Sequence, residues 1–195
     1  MLLLNFDSLL YAYFFLCLYA VERAIFALTF MRGMKACRSS WLTYIPFLSY
    51  ILLCLIAIIE FSLSAEKILN LIISIAGISI LTLGVFLRYQ AVWAFSAKEQ
   101  TWNSHIDADN VDVLVTAGIY RFLRHPYYLS VMIELCGIAL ALNSFITMIL
   151  VFLIQFPLLC KRTKDEDSAL EKKFGEQYTL YKKRTRAVLP NWSIK

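Results

Sequence analysis

Three stretches hold the residues able to do chemistry. The first is RHPYY, Arg124 to Tyr128, inside GIYRFLRHPYYLS and running straight into a long apolar segment. Pro126 suits the first turn of a helix, where its missing N–H costs nothing. A helix starting there turns its positive dipole end to the polar side, beside Arg121, Arg124 and His125. That makes a seat for a carboxylate or a phosphate, although the same residues also make an ordinary interfacial anchor. The second stretch is CKRTKDEDSALEKKFGEQYTLYKKR, residues 160–184, where Arg162 and Glu166 stand four apart and share a helix face. Arg162 can hold a carboxylate through two parallel hydrogen bonds, and Glu166 can accept hydrogen bonds from an amino group. A solvated exit helix with i,i+4 charge pairs fits this stretch as well, with Glu171 as one of its solvated charges, and Leu170, Phe174 and Tyr181 form its apolar stripe. The third stretch is the connector HIDADNVDVLVTAG, residues 105–118, in which Val113 to Val115 offer an apolar strip to a flat base or form a bare interfacial loop.

These stretches need elements to hold them, and composition says which kind. Of 195 residues, 60% are hydrophobic, more than a soluble core of this size absorbs, so the bilayer is the expected solvent. The length favours a single domain over 1–195. MLLLNFDSLLYAYFF lacks a basic n-region and a small-residue cleavage site, so no cleavable leader is expected. Cys17, Cys37, Cys54, Cys136 and Cys160 stand singly, which argues against a zinc site, any other metal centre and a disulfide framework. The net charge of +5 resides in basic residues flanking apolar spans; anionic lipid, not nucleic acid, is their ordinary partner.

Hydrophobic runs predict an all-α, polytopic membrane protein with five transmembrane helices. Residues 9–30, 41–63 and 68–95 are each long enough to cross a hydrocarbon core of about 30 Å. The block from Tyr127 to Cys160 would reach about 51 Å as one helix, too long for a single span. Asn143 and Ser144 at its middle favour a turn, giving a helical hairpin of spans 127–142 and 145–161, the second bent at Pro157. A connector and a C-terminal helix complete the chain. Five spans put 16 of the 19 Lys and Arg on one side, so the N-terminus is expected outside and the C-terminus in the cytosol. Glu22, Arg23, Arg88 and Glu134 then fall in the inner leaflet and Glu60 towards the outer face. The inner charges either line a polar cavity open to the cytosol or pair, with Arg88 snorkelling.

The order DVLVTAGIYRFLRHPYYLS, an apolar hairpin, then RTKDEDSALEKKFGEQYTLYKKR resembles the isoprenylcysteine carboxyl methyltransferase family, related to phospholipid N-methyltransferases. The resemblance covers roughly residues 105–190. It implies an S-adenosyl-L-methionine-dependent methyltransferase built within the membrane, active site facing the cytosol and releasing S-adenosyl-L-homocysteine. The sequence has no glycine-rich nucleotide fingerprint. Carried over position by position, the cofactor contacts are His105, Asp112, Val113, Leu114, Val115, Gly118, Tyr120, His125, Pro126, Tyr127, Tyr128 and Glu166. Arg162 matches the arginine assigned to the substrate carboxylate, and Arg162 and Glu166 are the catalytic pair. Ser130 stands where the family often has glycine, and His105 where it often has glutamine. Within Asp165, Glu166 and Asp167, spacing selects Glu166.

Methyl transfer to a carboxylate needs no general base, because a carboxylate is ionised near pH 7. It needs a dry pocket, in-line positioning and a clamp on the acceptor. Arg162 favours an anionic acceptor, such as a prenylcysteine carboxylate arriving sideways from the bilayer. A phospholipid amine would need a base to remove its proton first. A non-catalytic scaffold or a transporter is the competing class; no internal repeat of the transporter kind is present.

Overall fold

The computed structural model describes residues 14–15, 17–25, 44–63, 70–96 and 113–187. Among them the chain is helical: α1 (residues 17–25), α2 (Tyr44–Leu63), α3 (Leu71–Ser96), α4 (Pro126–Ala141), α5 (Phe145–Phe174) and α6 (Glu176–Arg184). A 3₁₀ turn, Gly118–Arg121, precedes α4. Three of these helices, α2, α3 and α5, are long and apolar enough to cross a membrane, which makes this a helical membrane protein. The ends of the expected first span (9–13 and 26–30), residues 41–43 and 68–69, Cys37 and the connector 105–112 lie outside the described residues.

The expected hairpin is present and its turn is chemically simple. α4 ends at Ala141, Asn143 takes a left-handed conformation (φ 53°), and Ser144 precedes α5. Asn tolerates that conformation better than most residues. Its side chain also accepts from the Asn70 N–H and donates to the Ser74 hydroxyl, binding the turn to the start of α3. Glu60 of α2 accepts from the backbone N–H groups of Ile146 and Thr147 at 2.9 Å each and from the Thr147 hydroxyl at 2.8 Å. A carboxylate from a neighbouring helix thereby satisfies the orphan donors of α5's first turn.

The second span continues unbroken into the expected exit helix. α5 runs as one helix to Phe174, and just before Pro157 residues Val151–Gln155 form a π turn. Pro157 has no N–H to donate to the preceding turn, and a π turn absorbs that defect. Gln155, fully buried in the π turn, donates to the Pro46 carbonyl at 3.2 Å and accepts from Ser49 at 2.6 Å, which fixes α5 to α2. The apolar part of α5 ends at Cys160; from Lys161 onward charged residues dominate.

α3 and α4 pack antiparallel and closely. A Cβ placed on Gly84 would come within 2.7 Å of Glu134 Cγ, and one on Gly137 within 2.7 Å of Leu81 Cα. Small residues at such crossings allow close backbone approach where no hydrophobic force draws helices together. Apolar cores flank this seam: Ala57, Phe61, Leu81, Ile138 and Leu142 at one level, Tyr50, Leu53, Val131, Leu135, Val151 and Leu159 at another.

Close packing delivers Glu134 to Arg88, and the inner charges prove to be paired. Arg88 Nε donates to Glu134 Oε1 at 2.8 Å, and Arg88 Nη2 reaches Glu22 at 2.7 Å. Arg23 Nη1 lies 3.4 Å from Glu134 Oε2, and Tyr19 donates to the same oxygen. Tyr89 adds a bond to Glu22 at 2.9 Å. Arg88 is fully buried and does not snorkel. Two arginines and two glutamates so cancel within the helical bundle, as intramembrane charges must if no water reaches them.

Candidate active site

The site is assembled by the loop before α4, the start of α4, the charged half of α5, and α6 with the residues after it. Pro126 opens α4 at its first position, as expected. Four residues of the notable stretches then meet. The Tyr128 hydroxyl donates to Glu166 Oε2 at 2.7 Å and accepts from Arg162 Nε at 3.3 Å. The His125 ring stacks near Tyr128, centroids 5.7 Å apart, and its Nδ1 lies 3.8 Å from Glu166 Oε1. Tyr128, His125 and Glu166 are all buried. The i,i+4 spacing on α5 is what lets one phenol touch both Arg162 and Glu166.

The remaining expected residues fall into three groups. Val115 and Tyr120 pack with Ala91 and Ala94 of α3, and Tyr127 leans on the same cluster. Pro126 is buried at the helix start, whereas Val113 and Gly118 are exposed and Leu114 is half-buried. The apolar strip therefore presents only Val115 fully to the interior. Gly118 has φ 61°, a left-handed value that starts the 3₁₀ turn. His105 and Asp112 lie outside the described residues.

The basic cluster is employed differently from a bare anion seat. The backbone N–H groups of Arg124 and His125 donate to the carbonyls of Arg186 and Ala187 at 2.9 and 3.0 Å, and Leu123 bridges Arg186 in parallel. Arg124 Nη1 donates to the Lys182 carbonyl at 3.1 Å and to that of Thr185. Its guanidinium thus caps the C-terminal end of α6, where carbonyls lack helical partners and the dipole is negative. Tyr181 of α6 completes the closure by donating to the Tyr120 carbonyl at 2.7 Å. The helix break at Gly175 (φ 54°) separates α6 from α5, so Leu170, Phe174 and Tyr181 do not form one continuous stripe. Glu171, as expected, remains at the surface, where it pairs with Lys182 at 3.1 Å.

Asp167 was not singled out by its spacing. Its Oδ1 lies 2.8 Å from His125 Nε2 and accepts from the Tyr178 hydroxyl, and Oδ2 is 3.4 Å from Arg124. Burial alone would raise its pKa, but the hydrogen bonds from His125 and Tyr178 and the charge of Arg124 outweigh it and lower the carboxyl to about 2. Its partners lie 11 to 43 positions away, so only its place beside Glu166 in the acidic run hinted at it. Burial and the hydrogen bond to Asp167 push the Tyr178 hydroxyl well above the usual tyrosine range.

Residues 78–172 match the isoprenylcysteine carboxyl methyltransferase (ICMT) family. A protein-S-isoprenylcysteine O-methyltransferase of Schizosaccharomyces pombe is 31% identical over 128 residues, covering 63% of this chain and 52% of its own length. One of Rattus norvegicus is 30% identical over 120 residues, covering 60% and 41% respectively. An uncharacterized protein of Bacillus subtilis is 33% identical over 96 residues, covering 49% of this chain and 55% of itself. The chain therefore spans about half the length of the curated relatives it matches. The matched region runs from α3 to the charged half of α5 and includes RHPYY, Arg162 and Glu166. Over residues 78–172 the chain is thus similar to the isoprenylcysteine carboxyl methyltransferase family.

Proposed function

We propose that this protein is an S-adenosylmethionine-dependent methyltransferase acting on the carboxylate of a lipidic acceptor of the prenylcysteine kind. The observation that carries the proposal is the Tyr128 hydroxyl joining Arg162 and Glu166, a cation for the acceptor and a carboxylate for the cofactor, where α5 leaves its apolar half. The fission yeast and rat relatives are named for O-methylation of protein-S-isoprenylcysteine, which supports an acceptor of that class here.

The residues fit the cofactor. His125 Nδ1 is buried with no hydrogen-bond partner among the described residues and faces Glu166, so polar acceptors are available for an amino group. Val115 and Tyr120 supply the apolar wall against which a base can lie. The proposed contacts run from His105 and Asp112 through Val113, Leu114, Val115, Gly118 and Tyr120 to His125, Pro126, Tyr127, Tyr128 and Glu166. S-adenosylmethionine, when bound, supplies an electrophilic methyl group on a sulfonium.

Arg162 holds the acceptor carboxylate and keeps it anionic, so its oxygen is already a nucleophile and no base is needed. Buried Tyr120 and Tyr128 exclude water from the site. An amine acceptor would need a base; of the three candidates Glu134 is bonded to Arg88 and Glu166 to Tyr128, and His125 Nδ1 is taken in this reading by the cofactor's amino group. A carboxylate needs no base and matches the charge of Arg162, which favours the carboxylate. In the membrane, the proposed topology is five spans with the N-terminus outside and both the C-terminus and the site on the cytosolic side. α4, at 16 residues and about 24 Å, then begins below the interface, which lets a lipidic acceptor reach the site from the bilayer.

Calorimetric binding of S-adenosylhomocysteine to the detergent-purified chain, followed by methyl transfer to a farnesylcysteine analogue in the same sample, tests this function. Binding with turnover is expected. A folded sample that binds neither compound would return the chain to the scaffold class.

A further inference from the structure

Asp167 sits behind His125 and has no part in the chemistry proposed above. Its Oδ1 receives His125 Nε2 at 2.8 Å and the Tyr178 hydroxyl, and Arg124 lies against its other oxygen. An ionised carboxylate only accepts, so Nε2 must carry the hydrogen. The second ring nitrogen, Nδ1, is buried, has no hydrogen-bond partner among the described residues, and stands 3.8 Å from Glu166 Oε1. That gap is too long for a direct hydrogen bond, yet two acceptors so spaced can both lie within about 2.9 Å of one donor nitrogen. Glu166 Oε2 accepts from Tyr128, and Oε1 is the oxygen that stands 3.8 Å from the ring nitrogen.

We propose that Asp167 is a positioning residue: it locks His125 as the Nε2–H form, so that Nδ1 joins Glu166 Oε1 as the second acceptor for an ammonium group, the amino end of the cofactor. This rests on the methyltransferase reading. Asp167 acts only through the imidazole and touches no reacting atom. The logic is that of any histidine whose outer partner dictates which nitrogen is free. Tyr178 and Arg124 hold the carboxylate in place, so α6 takes part in the arrangement through Tyr178.

Asp167→Asn tests it in the full chain. Arg124 draws the amide oxygen of Asn, which turns its NH2 towards His125 and forces the hydrogen onto Nδ1. The acceptor becomes a donor facing an ammonium. The expected result is about a tenfold rise in the Kd of S-adenosylhomocysteine, the scale of one charge-assisted hydrogen bond. The analogue with hydrogen in place of the amino group should bind wild type about tenfold more weakly than S-adenosylhomocysteine, and D167N no worse than wild type. Equal weakening of both ligands by D167N would make Asp167 a mere structural bolt and overturn the proposal.

Should D167N fail to melt cooperatively, 15N-histidine spectra of wild type decide. The chain has two histidines, and H125N assigns the signal. S-adenosylhomocysteine should shift Nδ1 and the deaminated analogue should not; identical responses would overturn the role. Wild type that binds neither ligand would remove the methyltransferase reading and this role together, whereas binding without the amino-group dependence would remove Asp167 alone.

Discussion

Replacing Arg88 alone should do more damage than replacing Arg88 and Glu134 together. Arg88 and Glu134 are fully buried, and with Arg23 and Glu22 they form a set of zero net charge. Arg88→Met leaves two glutamates facing one arginine, which is 3.4 Å from Glu134. Removing one partner of a buried pair costs about 3–5 kcal/mol, whereas exchanging the whole pair for apolar residues of similar volume is often neutral or stabilising. The double variant R88M/E134M keeps Glu22 and Arg23 and is neutral again, and Tyr19 and Tyr50 retain their bond to each other. Methionine is the choice at 134 because Gly84 lies against Glu134 Cγ, where a branched side chain would collide with α3. Each single variant should lose about 3–5 kcal/mol and the double should fall within about 2 kcal/mol of wild type. Equilibrium unfolding in mixed detergent micelles, followed by circular dichroism, gives the numbers. Single losses that add in the double to within about 0.5 kcal/mol, or an R88M loss under about 1 kcal/mol, would refute the neutral-set explanation.

Arg162→Ala should abolish turnover while largely sparing S-adenosylhomocysteine affinity, and Glu166→Gln should mainly weaken that affinity; titration calorimetry beside an activity assay separates the two roles, and equal loss of both functions in R162A would contradict the assignment. Glu60→Ala should destabilise the hairpin by about 1–2 kcal/mol, because the Ile146 and Thr147 N–H groups lose their acceptor. Its unfolding midpoint in micelles should fall with S-adenosylhomocysteine affinity unchanged, since Glu60 lies at the far end of α5 from Arg162.

Local chemistry was legible in the sequence where it depends on neighbours along the chain. Pro126 opens α4, Asn143 and Ser144 turn the hairpin, and Arg162 and Glu166 share one face of α5 because each feature follows from a few adjacent residues. The roles that escaped depend on partners far away. Glu60 reaches α5 across 86 and 87 positions, Arg88 meets Glu134 across 46, and Arg124 caps α6 across 58 to 61. No periodicity encodes such pairings. Arg124 is instructive: a basic residue beside a helix start suggests an anion site, but its guanidinium serves the end of another helix. Likewise, spacing selects Glu166 from the acidic run 165–167 but gives Asp167 no role, and only the fold places Asp167 at His125. Pro157 did signal a defect in α5, which the helix absorbs as the π turn just before it.

Carboxyl O-methylation is tested most directly by the chemical nature of the product bond. Purified protein is incubated with methyl-labelled S-adenosylmethionine and a farnesylcysteine analogue, and the product is treated with mild alkali. A methyl ester releases its label as volatile methanol, whereas a methylated amine holds it. Alkali-labile label, absent when Arg162 is replaced by alanine, is the expected result. Label that survives alkali, or that appears only when an amine lipid is supplied, would contradict the carboxylate as acceptor and Arg162 as its clamp.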